Sequence, residues 1–144
     1  MPDELLRPTI GAGVDMSVRP WRLMSQAYVA FFGGVIASTT VAFLNSGRLG
    51  VDAAKRRLIL LTGLVGLVAV VALFALLGGD GLQVSTRVVA VLCFLVQLRV
   101  QRPMDRAFQL RGTDYGSLWR VGIPVTIGGA VAEFLILLLV TVIR

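Results

Sequence analysis

The chain has 144 residues, of which 56% are apolar and only 15% charged, and its mean hydropathy is +0.84. Soluble domains run at about 25% charged and about 45–50% apolar, so the composition excludes an ordinary water-soluble fold. A net charge of +6 raises nucleic acid as a partner, but no basic face interleaved with aromatics is present. Lys and Arg also collect in cytoplasmic loops of membrane proteins because they resist translocation.

Residues 1–19 form a Pro- and Gly-containing tail with no clean period, expected to be irregular. The first apolar run starts too late and continues too long for a cleaved signal, so it is expected to remain in the mature protein. VRPWRLMSQ opens the first helix. Pro20 suits a first-turn position, and Trp21 and Arg22 suit the headgroup level as interface anchors.

Four apolar runs follow: Ala27–Leu44, Leu58–Leu77, Val88–Val100 and Val121–Ile143. A hydrocarbon core about 30 Å thick takes about 20 helical residues. The second and fourth runs satisfy this outright, and the third does so with flanking polar residues that snorkel. The expected fold class is an all-α membrane protein, a four-helix transmembrane bundle in a single domain covering 1–144. Its spans are expected at about 22–45, 57–78, 86–102 and 119–143.

Between the runs lie the turn signals. The first run stops at NSGRLG, where Asn45 and Gly47 read as stop signals, and a basic loop with Arg48, Lys55, Arg56 and Arg57 follows. The second run ends at GGDG, a turn by composition, and Ser85 and Thr86 are candidate caps for the third. QRPMDRAFQLRGTDYGSLWR is the longest loop. It carries a short surface helix from Met104 to Arg111, with Met104, Ala107 and Phe108 on one face and Gly112 as its stop. Trp119 and Arg120 repeat the Trp-Arg anchor before the last run.

With four spans, the Arg48–Arg57 and Arg99–Arg120 segments, loops 46–57 and 102–120 with Arg99 beside the second, carry nine basic residues against five on the other side. That places the loops in the cytoplasm and both termini outside. A re-entrant hairpin bent at Gly33-Gly34 would sharpen the count to twelve against two. Length favours the span, since the first run would reach about 27 Å, and re-entrant backbone needs shielding by protein.

Chemistry is sparse. The chain has no histidine, so the commonest general base and metal ligand are missing. No P-loop, CxxC, HExxH, GxGxxG or nucleophile-elbow pattern appears. A non-enzymatic protein without cofactor or metal is the expectation. Cys93 stands alone inside the third run and reads as a small apolar residue. Asp52, Asp80, Asp105 and Asp114 read as solvated loop charge or turn chemistry.

Glu133 is different, because it falls close to the middle of the last span. An ionisable group there costs a few kcal/mol and faces the bundle interior or a wet cavity. Gly129 lies one turn before it, and Gly128 with Ala132 forms a second pair of small residues. Gly33, Gly34 and Ala37 form a matching face on the first span, and such faces let helix backbones approach closely. An intramembrane polar site of Glu133, Ser38, Thr40, Gln97 and Arg99 is therefore expected. Glu133 has three competing readings: structural glue, a proton or cation site, or a pairing group across an oligomer. Arg99 alternatively snorkels to the interface.

The pattern AYVAFFGGVIASTTVAFLNSGRLG, followed by AAKRRLILLTGL and later by YGSLWRVGI, resembles a loose, uncharacterised family of small bacterial multi-pass inner-membrane proteins. Their first span, A-x-F-x-G-x-x-A, corresponds here to Ala30, Phe32, Gly34 and Ala37. The N-x-x-R-L-G that follows corresponds to Asn45, Arg48, Leu49 and Gly50. The resemblance implies fold and a bacterial inner-membrane location, and no activity. Small multidrug exporters share the size and a membrane-embedded Glu, but theirs belongs to the first span. The sequence thus points to an accessory or assembly subunit or a small homo-oligomer. Its partners would be the lipid bilayer and either itself or another membrane subunit, not nucleic acid. The alternative is an ion-coupled transporter or channel built on Glu133, and a membrane-permeabilising effector is a third reading.

Overall fold

The computed structural model describes residues 13–77 and 81–143. The first twelve residues, most of the GGDG turn and Arg144 lie outside the described residues. Four long helices account for nearly all of the described chain: α1 (Gln26–Arg48), α2 (Ala53–Leu77), α3 (Leu82–Leu110) and α4 (Trp119–Ile143). A single 3-10 turn, Leu23–Ser25, leads into α1. All four helices are long and apolar enough to cross a membrane, and together they form an all-α four-helix bundle.

The sequence explains the helices and their faces. α2 is a run of Leu, Val and Ala that buries only Ile59, Gly63, Gly66 and Val70, a narrow stripe at helical spacing. Leu58, Leu60, Leu61, Leu64, Val65, Val68, Leu76 and Leu77 are exposed, as apolar side chains are when the surrounding solvent is lipid. The two glycines of the stripe are notches: a Cβ on Gly63 would run into Thr39, and one on Gly66 into Cys93. α4 likewise buries only Gly122, Gly129 and Glu133.

The first helix departs from a plain span. Gly34 sits inside it at φ 79° and ψ −164°, a region that only glycine enters without strain. The helical hydrogen bonding breaks there, and the two arms fold back on each other. An unbroken helix would hold Leu23 and Asn45 about 33 Å apart. Instead, the Trp21 N–H donates to Asn45 Oδ1 at 2.7 Å, and Asn45 Nδ2 donates to the Trp21 carbonyl at 3.2 Å. Arg48 donates to the Arg19 carbonyl and stacks over the Trp21 ring at 4.0 Å. The hairpin is the alternative the sequence allowed, against which length and the need for shielding both argued.

The hairpin packs against α2, α3 and α4, and Gly33, Gly34 and Val35 at its tip are buried. The shielding that a bent backbone needs is therefore supplied by three neighbouring helices. Both ends of α1 lie at one end of the bundle, beside the α1–α2 and α3–α4 connections. There Leu23, Leu49, Val51, Ala107 and Phe108 form a cluster, with Val14 packed on it.

Several local expectations change. Pro20 and Trp21 precede the helix and are buried, Trp21 to 2% exposure. Trp21 is thus part of the clamp, and no headgroup anchor. Asn45 lies within α1, which continues to Arg48 and turns at Gly50 with φ 68°. α3 starts at Leu82 with Gly81 as its N-cap, so Ser85 and Thr86 are inside the helix. Residues 104–110 are helical as expected, but they continue α3 without a break.

Candidate functional site

A break in a helix strands N–H groups on one side and C=O groups on the other. In hydrocarbon no water can satisfy them. Two ionisable side chains do so here. Glu133, reaching in from α4, accepts the Val35 N–H at 3.0 Å, and the Ile36 N–H also faces its carboxylate. Arg87, from the first turns of α3, donates to the carbonyls of Phe31 and Phe32, at 3.0 Å for the latter.

The charges match the ends they cap. A helix N-terminus carries partial positive charge and a C-terminus partial negative charge. Glu133 lies at the start of the second arm, and Arg87 at the end of the first. Glycines make the approach possible. A Cβ on Gly34 would collide with the Glu133 carboxylate, and one on Gly129 with the backbone of Ala37.

A second polar cluster lies between the hairpin and α3. Ser38 donates to Gln97 Oε1 at 2.9 Å, and Gln97 Nε2 donates to Thr39 Oγ1 at 2.9 Å. One turn on, Gln101 Oε1 accepts from Asn45 at 3.0 Å, while its Nε2 faces Gln26 Oε1 at 3.4 Å. A further turn on, Asp105 accepts from the Tyr115 hydroxyl at 2.8 Å and from Gln109 at 3.0 Å. Burial and the bond to Asp105 push the Tyr115 phenol above its ordinary value. Asp105, expected as a solvated loop charge, is instead buried in α3. Its oxygens tie the α3–α4 loop to the helix.

The expected single polar site therefore separates into two. Glu133 is buried at 8% exposure and meets the α1 backbone; Ser38 and Gln97 meet each other. Thr40 is exposed and bonds only to the Ile36 carbonyl of its own helix. Arg99 is exposed on the outer face of α3, beside Arg102 and Arg106, and makes no pair with Glu133. Of the small residues, Ala37 faces Gly129, Gly33 lies against the backbone of Thr126, and Gly34 faces the Glu133 carboxylate. Gly128 opens onto empty space, and Ala132 is only half-buried. Arg22, Trp119 and Arg120 are exposed.

Two participants went unread in the sequence: Arg87, counted only as a loop charge, and the Asn45–Trp21 clamp. A signal for Arg87 exists. It shares a helical face with Ala90, Phe94, Gln97 and Gln101, the side of α3 that is buried. No protein-family model, curated protein or solved structure matches the chain.

Chemically, both side chains are engaged in holding a backbone. The Glu133 Oε2 is committed to the Val35 N–H. Among the described residues, no group of three His, Cys, Asp or Glu that could hold a metal ion is found.

Proposed function

We propose that the chain is a non-enzymatic multi-pass protein of a bacterial inner membrane, an accessory subunit whose distinguishing part is the folded-back α1. α2, α3 and α4 cross the bilayer, and α1 enters and leaves by the same face. Every described Lys and Arg except Arg87 lies at or near the end where α1 starts and finishes. By the preference of Lys and Arg for the cytoplasm, that end is cytoplasmic, with both basic loops.

The observation that carries the reading is the bond from Val35 N–H to Glu133. It supports structural glue among the three readings of the carboxylate, because the group is engaged in capping a broken helix. An accessory role follows from a scaffold whose intramembrane charges are both used internally. The test is purification from the native membrane in mild detergent. A stoichiometric membrane partner or a defined homo-oligomer supports it, and a clean monomer counts against it.

A second reading has its own support. Ion-coupled transporters use discontinuous helices whose half-helix ends lie at mid-depth and meet charged groups, and α1 has that form. Glu133→Gln separates the two. A transporter coupled through this carboxylate loses proton- or cation-driven flux in proteoliposomes, and a scaffold keeps its assembly with the partner.

A further inference from the structure

Beside the hairpin lies a cavity of about 900 Å³, between the first arm of α1 and α4. It is within the range of about 300–1,000 Å³ typical of small-molecule sites. Its mouth, at the end of the bundle that carries the loops, is lined by Arg19, Arg22 and Asp114. Its walls further in are Tyr28 and Phe32 of the hairpin and Ile127 of α4. Trp119 opens α4, and Ile127 is two turns beyond, so the groove descends about 12 Å along the helix. Phe32 and Ile127 are 59% and 60% exposed, so this side faces the surrounding lipid.

We propose that this groove binds an anionic phospholipid, with its phosphate between Arg19 and Arg22 and one acyl chain lying against Tyr28, Phe32 and Ile127. The groove changes character along its length in the same sense as a lipid does: cationic at the interface, apolar below it. Arg22 is held in place, its guanidinium 5.6 Å from the Tyr115 ring centroid, while Tyr115 is fixed by its bond to Asp105. Basic pockets at the cytoplasmic side of membrane helices bind anionic headgroups, each basic group near the surface contributing about fivefold. Two arginines against the one carboxylate of Asp114 leave the mouth net positive. This inference rests on the membrane placement above, which labelling of the N-terminal segment tests separately.

The experiment is native mass spectrometry of the full chain, released from detergent containing equal phosphatidylglycerol and phosphatidylcholine with identical acyl chains. The wild type is expected to retain phosphatidylglycerol preferentially. Replacing both mouth residues, Arg19→Ala with Arg22→Ala, is expected to reduce that preference by about fivefold per arginine. Ile127→Trp, which fills the deep end, should lower retention of both lipids and leave their ratio unchanged. Arg99, Arg102 and Arg106 lie together on the outer face of α3; changing all three to Ala removes more charge without touching the groove, and the preference should survive. Equal retention of the two lipids by the wild type overturns the proposal, whether or not the variants fold. So does a preference lost with the α3 triplet and kept without Arg19 and Arg22, or a lipid-free dimer with the groove filled by a second copy.

Discussion

Glu133 is the residue where a carboxylate in hydrocarbon finds its explanation. It replaces the water that would otherwise solvate the first N–H groups of the second arm of α1. Glu133→Gln keeps an acceptor oxygen of the same reach, so the protein is expected to fold with only a small loss of thermal stability. Glu133→Leu leaves the Val35 N–H buried without a partner, a penalty of about 1–3 kcal/mol. Melting of the two variants in the same detergent checks this; equal melting temperatures would show that the bond contributes nothing. Gly34 is its counterpart. Gly34→Ala forces a side chain into a glycine-only region, at about 1–3 kcal/mol, and also against the Glu133 carboxylate. It should be more damaging than Gly128→Ala, whose added methyl meets no atom within 4 Å.

At the scale of the element, α1 is held at both ends. Its tip is fixed by Glu133 and Arg87, and its open ends by Asn45, which exchanges two hydrogen bonds with Trp21. Asn45→Leu removes both bonds and the one to Gln101, and frees the ends to separate. Single interhelical hydrogen bonds in membranes average only about 0.6 kcal/mol, so Ser38→Ala should cost little. Asn45→Leu breaks three at once and should cost clearly more, read as faster proteolysis of the segment before α1. Sequence periodicity made the helices legible because lipid exposure demands long apolar runs. It also marked Gly33-Gly34 as the place where a bend was possible. The bend itself was not legible, because the bonds that close it join residues 24 apart in sequence. The Glu133 contact spans 98. Neither leaves a local signature. Small-residue spacing did mark the Gly129 face, but it could not separate that face from the Gly128 face beside it, which the fold leaves open.

At the scale of the whole molecule, the hairpin brings residues 13–22 to the same end of the bundle as the α1–α2 connection. With α1 as an uninterrupted crossing, residues 13–22 would face away from the basic loops. In the folded chain, Val14 packs against Gly50 and the Leu49 cluster, and Arg19 is bonded to Arg48. The two arrangements differ in a way that labelling resolves. In a Cys93→Ala background, single cysteines are placed at Ser17, at Ser117 in the α3–α4 loop, and at Gln83 near the opposite end. All three positions are exposed. A membrane-impermeant maleimide applied from one side should reach positions 17 and 117 together and miss position 83. Labelling of position 17 together with position 83 would require α1 to cross, and would pull Trp21 away from Asn45. The charge distribution then sharpens: with residues 13–22 on the loop side, Arg87 is the one described basic residue left towards the opposite end of the bundle. Its position there is explained by the Phe31 and Phe32 carbonyls it caps. The asymmetry of charge and the bend at Gly34 are thus two consequences of one arrangement, and the same labelling experiment decides both.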